Sequence, residues 1–173
     1  MSILAFCGSL RRLSMNAALL RATARLAPAG LTVEIFTGLV ALPLFNPDLE
    51  VELPPAVRML HIAVADCDAL LIASPEYAHG VTGVLKNALD WLVSFEGFID
   101  KRVAIFNASP RSAHADASLR EILTTMSANI VAGACLALPL RGLNLTEQQM
   151  LESQHAVAIR RALLSLVSQE ART

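Results

Sequence analysis

Short apolar runs that alternate with amphipathic helical patterns constrain this chain more than any other feature. The runs are Ile3 to Cys7, Ala69 to Ala73, Arg102 to Asn107 and Ile130 to Leu138, and Leu31 to Phe36 alternates well enough to be a further strand, the second in order. Between them, Met15, Leu19, Ala22 and Leu26 share one helical face, as do Val57, Leu60 and Val64. Leu85, Ala88, Leu89 and Leu92 do the same, with Lys86 and Asp90 paired at i, i+4, and so do Leu119, Ile122, Leu123 and Met126. Thr146-x-x-Gln149 reads as a capping box that starts a last helix through Ile159, Ala162, Leu163 and Leu166. Strands that are apolar at consecutive positions are buried on both faces. That is the condition of a parallel sheet between two helical layers, so the class is α/β. Pro28 and Gly30 end the first helix, Pro54-Pro55 introduce the second, and Gly38 to Asp48 form a long apolar loop. With no repeat and no linker, residues 1–173 read as a single domain.

In a parallel sheet the loops after strands 1, 3 and 4 leave at the same carboxyl edge, where such folds bind ligands. This brings together Gly8–Asn16, Ser74–Gly83 and Ser109–Asp116. The first loop offers the hydroxyls of Ser9 and Ser14, the Arg11 guanidinium, the Asn16 amide and the open N–H groups of a starting helix. Those groups can hold a phosphate. They read equally as a helix capped by Ser14 with Arg11 and Arg12 in solvent. The nucleoside-triphosphatase loop G-x-x-x-x-G-K-[ST] is absent, and so is the dinucleotide fingerprint G-x-G-x-x-G; Glu34 lies inside strand 2 rather than at its end. The second loop carries Pro75, Glu76 and Tyr77, with Gly80 and Gly83 expected to make its tight turns. Such a loop can offer backbone groups to a flat heterocycle, or serve as a stiff turn whose Tyr77 and Trp91 fill a subunit contact.

Composition excludes several classes. Hydrophobic residues are 54% and charged residues 17% of the chain, too apolar for disorder and suggestive of surface buried between subunits. A formal charge of −1 gives no case for nucleic acid or an anionic membrane. The longest apolar run, Ile130 to Leu140, is too short to span a bilayer, and no basic leader precedes the first strand. Cys7, Cys67 and Cys135 are far apart and odd in number, which fits buried thiols in a reducing, cytoplasmic setting. The sequon Asn144-Leu145-Thr146 reads as chance. No histidines have metal-ligand spacing, and Ser74 and Ser109 lack the G-x-S-x-G context of a nucleophile. His79, alone in its loop, reads first as a surface or interface residue rather than an acid. No catalytic side chain and no metal site are expected.

Gly8-Ser9-Leu10-Arg11 with Ser14 and Asn16, Leu42-Pro43-Leu44-Phe45-Asn46 with Asp48, Ser74-Pro75-Glu76-Tyr77, and Gly83 through Trp91 (GVLKNALDW) follow one another in this order. The set resembles the NADPH-dependent FMN reductase family, which includes bacterial quinone and chromate reductases. The resemblance implies a flavodoxin-like three-layer sandwich with a five-stranded parallel sheet in the order 2-1-3-4-5. By that resemblance Ser9, Arg11, Ser14 and Asn16 hold the FMN phosphate with Met15 close by. Pro75, Glu76, Tyr77 and Ala78 lie along the isoalloxazine, and Ser109 closes the other side. Glu76, Tyr77 and the helix through Trp91 lie near a dimer contact, in a homodimer or homotetramer. Thr82 stands where many relatives have proline, which implies a looser turn. The implied activity passes hydride from NADPH or NADH through FMN to a small-molecule acceptor such as a quinone, free flavin or metal oxyanion. A flavin-binding electron carrier or sensor with no productive nucleotide site is the alternative.

Overall fold

The computed structural model describes residues 1–109, 112–140 and 146–168. Its strands are β1 (Ser2–Cys7), β2 (Thr32–Ile35), β3 (Ala69–Ala73), β4 (Arg102–Asn107), β5 (Asn129–Ile130) and β6 (Leu136–Ala137). The helices are α1 (Met15–Leu26), α2 (Pro55–Asp66), α3 (Gly83–Asp90), α4 (Ala113–Thr125), α5 (Glu147–Leu151) and α6 (His155–Val167). All strand pairs are parallel, in the order β2-β1-β3-β4-β5, as the resemblance implies.

Strand residues alternate between two cores, because successive side chains point to opposite faces. Ile3, Ala5, Ala69, Leu71, Ala104 and Phe106 face a layer made by α1, α5 and α6. Leu4, Phe6, Leu70, Ile72, Val103 and Ile105 face α2, α3 and α4. The expected faces of α2 and α3 are buried: Val57, Leu60 and Val64 on one, Leu85, Ala88 and Leu89 on the other.

Two expectations need correction. The single fifth strand from Ile130 to Leu138 is broken into β5 and β6, which pair with successive stretches of β4 on either side of a 3-10 turn at Ala132–Ala134. Small residues have little to pack on a pleated surface, and the turn comes close to α6, where a Cβ on Gly133 would lie 3.1 Å from Ser165 Oγ. At the gap, Ile105 N–H donates to Cys135 Sγ at 3.4 Å. The last helix is likewise two helices. Thr146 and Gln149 do form the capping box of α5. The chain then breaks at Ser153, whose hydroxyl donates to Met150 O at 2.7 Å and accepts from His155 N at 3.2 Å. A serine that bonds locally to backbone competes with the helix ladder.

The long apolar loop is held from α3. Asn87 accepts from Phe45 N at 2.8 Å and donates to Pro43 O at 2.9 Å, while Trp91 Nε1 donates to the same carbonyl at 2.8 Å. Phe45 meets the Trp91 ring edge-on at 5.0 Å. Asn87 thus gives one backbone donor and one backbone acceptor their partners. Asn87→Ala leaves Phe45 N–H without its acceptor and should lower stability by about 1–2 kcal/mol, read as a fall in the urea midpoint.

Candidate functional site

The loops at the carboxyl edge enclose a cleft of about 450 Å³. Gly8 N–H donates to Ala73 O at 2.9 Å, so the ends of β1 and β3 run side by side into their loops. Ser14 is 6% exposed and caps α1, its Oγ accepting from Ala17 N at 3.4 Å. Capping leaves the N–H groups of Met15 and Asn16, at the first turn, without helical acceptors. Ser9 Oγ accepts from Arg11 N at 3.4 Å, and the Arg11 side chain is exposed at the cleft. The capping and phosphate readings of this loop are therefore compatible.

Two polar atoms of residues that line the cleft are buried with no partner among the described residues, Asn16 Oδ1 and Ser109 Oγ. Buried polar groups are nearly always bonded, so orphans on residues that line a cavity mark where a ligand could supply the missing bond. A half-turn of the Asn16 amide presents its NH2 instead, suiting it to either a hydroxyl or a phosphate oxygen. The set fits a phosphate-bearing cofactor with a polar chain and a flat ring.

In the loop after β3, Tyr77 and Gly80 close a two-residue turn, with Tyr77 N donating to Gly80 O at 3.3 Å and Gly80 N to Tyr77 O at 3.0 Å. Its central residues are Ala78 and His79, at φ +50° and +59°. Of the glycines expected to make tight turns, Gly80 closes this one and Gly83 takes no part in it. The left-handed positions fall on Ala78 and His79, while Gly83 simply opens α3. Such a conformation costs a residue with a Cβ roughly 1–2 kcal/mol.

Glu76 has a side chain only 12% exposed. Its Oε2 accepts from Ala115 N in the first turn of α4 at 2.8 Å, and its Oε1 meets His79 Nδ1 at 3.2 Å. The Ala115 N–H, then the His79 hydrogen bond and the nearby imidazoles, hold its carboxyl below the usual carboxylate range against the opposing effect of burial. A lowered folded-state value means its contribution to stability is complete above the ordinary carboxylate pKa. That contribution is lost as pH falls through the folded value. Wild type should exceed Glu76→Gln in stability at neutral pH, and the gap should narrow on acidification in paired denaturant melts.

A model of the family described as NADPH-dependent FMN reductase matches residues 1–141. The chain belongs to that family. A 2-hydroxy-1,4-benzoquinone reductase from a Burkholderia species is 45% identical over 84 residues, 49% of this chain and 45% of that enzyme. The NAD(P)H-dependent FMN reductase of Pseudomonas aeruginosa is 38% identical over 127 residues, 70% of this chain and 68% of that protein. The match thus spans less than half of the first relative and about two thirds of the second. Among solved structures, the flavoenzyme NAD(P)H:(acceptor) oxidoreductase of Paracoccus denitrificans superposes with a TM-score of 0.78 at 21% identity, covering 95% of this chain and 96% of that one. At that identity the likeness speaks for the fold, which is flavodoxin-like.

In this family member Ser9, Arg11, Ser14, Met15, Asn16, Pro75, Glu76, Tyr77 and Ser109 all line the one cleft. Ala78 is not on the lining; it is exposed in the adjacent turn. Leu13, Ser74, Ala108 and Ser112 also line it; Ser74 opens the Ser74-Pro75-Glu76-Tyr77 motif, while the other three carry no sequence signal of their own. Of the third loop, Pro110 and Arg111 lie outside the described residues, as do Asn144 and Leu145 of the sequon. Thr82 keeps φ at −62°, the angle a proline would impose, and is 5% exposed with Oγ1 3.4 Å from Ser74 Oγ. The side chain is packed into the turn. No helix among the described residues is long and apolar enough to cross a membrane.

Proposed function

We propose that this chain is a single flavodoxin-like domain that binds FMN and works as an NAD(P)H-dependent oxidoreductase on small-molecule acceptors such as quinones or free flavin. The observation that carries this reading is the pair of buried, unpartnered atoms, Asn16 Oδ1 and Ser109 Oγ, on residues that line a cleft headed by the open N-terminus of α1. In it Ser9, Arg11, Ser14 and Asn16 hold the phosphate, with Met15 beside them. Helix dipole, amides and guanidinium all favour a dianion there. Pro75, Glu76 and Tyr77 border one side of the ring and Ser109 the other. When bound, FMN supplies the hydride chemistry, and the protein supplies position and exclusion of water.

Exposed Leu44, Val51 and Val93, at 83%, 96% and 63%, support assembly into a homodimer or homotetramer, which light scattering would read. Free thiols at Cys7, Cys67 and Cys135 suit a cytoplasmic protein. The deciding experiment is anaerobic addition of NADH or NADPH to protein loaded with FMN. Rapid bleaching of the flavin band, with colour restored by a benzoquinone, is expected. A yellow protein that neither nucleotide bleaches is an electron carrier instead, and a chain that takes up no FMN sinks the reading.

A further inference from the structure

We propose that the Glu76 carboxylate is a positioning residue, clamping loop 74–80 to the first turn of α4 and thereby setting the gap between the two walls of the cleft. The proposal rests on the flavin reading, since the gap is the one that takes the flat ring.

Pro75 and Tyr77, on either side of Glu76, line the cleft, and so do Ser109 and Ser112, which precede α4. Among the described residues, the hydrogen bond from Ala115 N to Glu76 Oε2 is the one that joins this loop to α4. A second route runs through His79, bonded to Glu76 Oε1 and set edge-on to the His114 ring of α4 at 4.5 Å. The clamp therefore closes into a circuit of Glu76, Ala115, His114 and His79. Asp116, the other acid of that turn, is directed to Arg120 at 2.7 Å and takes no part.

The capping of α4 makes this more than a surface contact. Ser112 stands at its N-cap but makes no side-chain cap bond. A capping serine would have satisfied the helix from within its own loop. Here the first turn is satisfied by a carboxylate 39 residues away, in the loop after β3. The helix end and the loop can move apart only by leaving a buried amide unpaired. The same carboxylate holds His79 in its left-handed turn position, which offsets part of the strain there.

Riboflavin, which has the ring but no phosphate, reads the walls separately from the phosphate loop. In fluorescence titrations Glu76→Ala should weaken riboflavin and FMN alike, by about tenfold, the loss expected for one charge-assisted hydrogen bond. The visible band of the bound flavin should move toward that of free flavin. Glu76→Gln keeps an acceptor for Ala115 N and should recover affinity to within about threefold of wild type. Glu76→Asp, too short to reach both partners, should fall between them and serves if the alanine variant does not fold. Wild-type affinity and spectrum in the alanine or aspartate variant, or a loss confined to FMN, would overturn the proposal. A wild-type chain that binds neither flavin overturns the flavin reading, and this one with it.

Discussion

Gly8→Ala should lower stability by about 2–3 kcal/mol and disorder the cleft, with a reduced urea midpoint and weaker FMN uptake as the readouts. A Cβ at this position would lie 2.1 Å from Ser74 Oγ, 2.6 Å from Ser74 Cβ and 3.0 Å from Thr82 Oγ1. Rotating the serine hydroxyl relieves the first contact but not the second, so β1 and β3 must part at their carboxyl ends. The Gly8 N–H bond to Ala73 O spans the same gap and would lengthen with it. The glycine is required here for close approach and not for an unusual φ. The double variant Gly8→Ala with Ser74→Gly removes both offending atoms and should regain most of the loss. A single variant as stable as wild type would refute the contact.

Arg11→Ala should weaken FMN by about 10- to 100-fold while leaving riboflavin binding unchanged. The Arg11 guanidinium makes no hydrogen bond or ion pair with a described residue and lies at the cleft beside the N-terminus of α1. It is therefore free to meet a dianion at little cost in broken contacts. Because the interaction is between exposed charges, raising salt should cost wild type more affinity than the variant. Equal FMN affinity in titrations of both proteins would remove Arg11 from the phosphate site. Taken with Glu76→Ala, the two variants divide the cofactor into halves: one is sensed through its phosphate, the other through its ring.

Much of this cleft could be read before any coordinates. Ser9, Arg11, Ser14, Met15, Asn16, Pro75, Glu76, Tyr77 and Ser109 line a single cavity because a parallel sheet sends the loops after β1, β3 and β4 to one edge. Roles that depend on what lies across the gap could not be read the same way. Glu76 and Ala115 are far apart in sequence, and no spacing rule links a loop carboxylate to a remote helix end. The turn at Ala78 and His79 was hidden because glycines stood nearby, at Gly80 and Gly83, to claim the left-handed positions by propensity. Asn87 and Trp91 belonged to a recognisable motif, yet only their bonds to Pro43 and Phe45 explain why those side chains are needed.

The apolar period alone determined the layers, the parallel sheet, the two faces of β1, β3 and β4, and the strand ends from which the loops leave. It did so because burying an apolar face is a local demand that each segment states for itself. Tertiary contact decided where that demand fails. The fifth strand breaks where small residues meet α6, and the last helix breaks where Ser153 bonds its own backbone. It also decided which polar atoms of the cleft-lining residues are already bonded and which, at Asn16 and Ser109, have no partner among the described residues. A hydrogen bond is a short-range choice among whatever partners the fold brings near, and those partners are known only once the chain is folded.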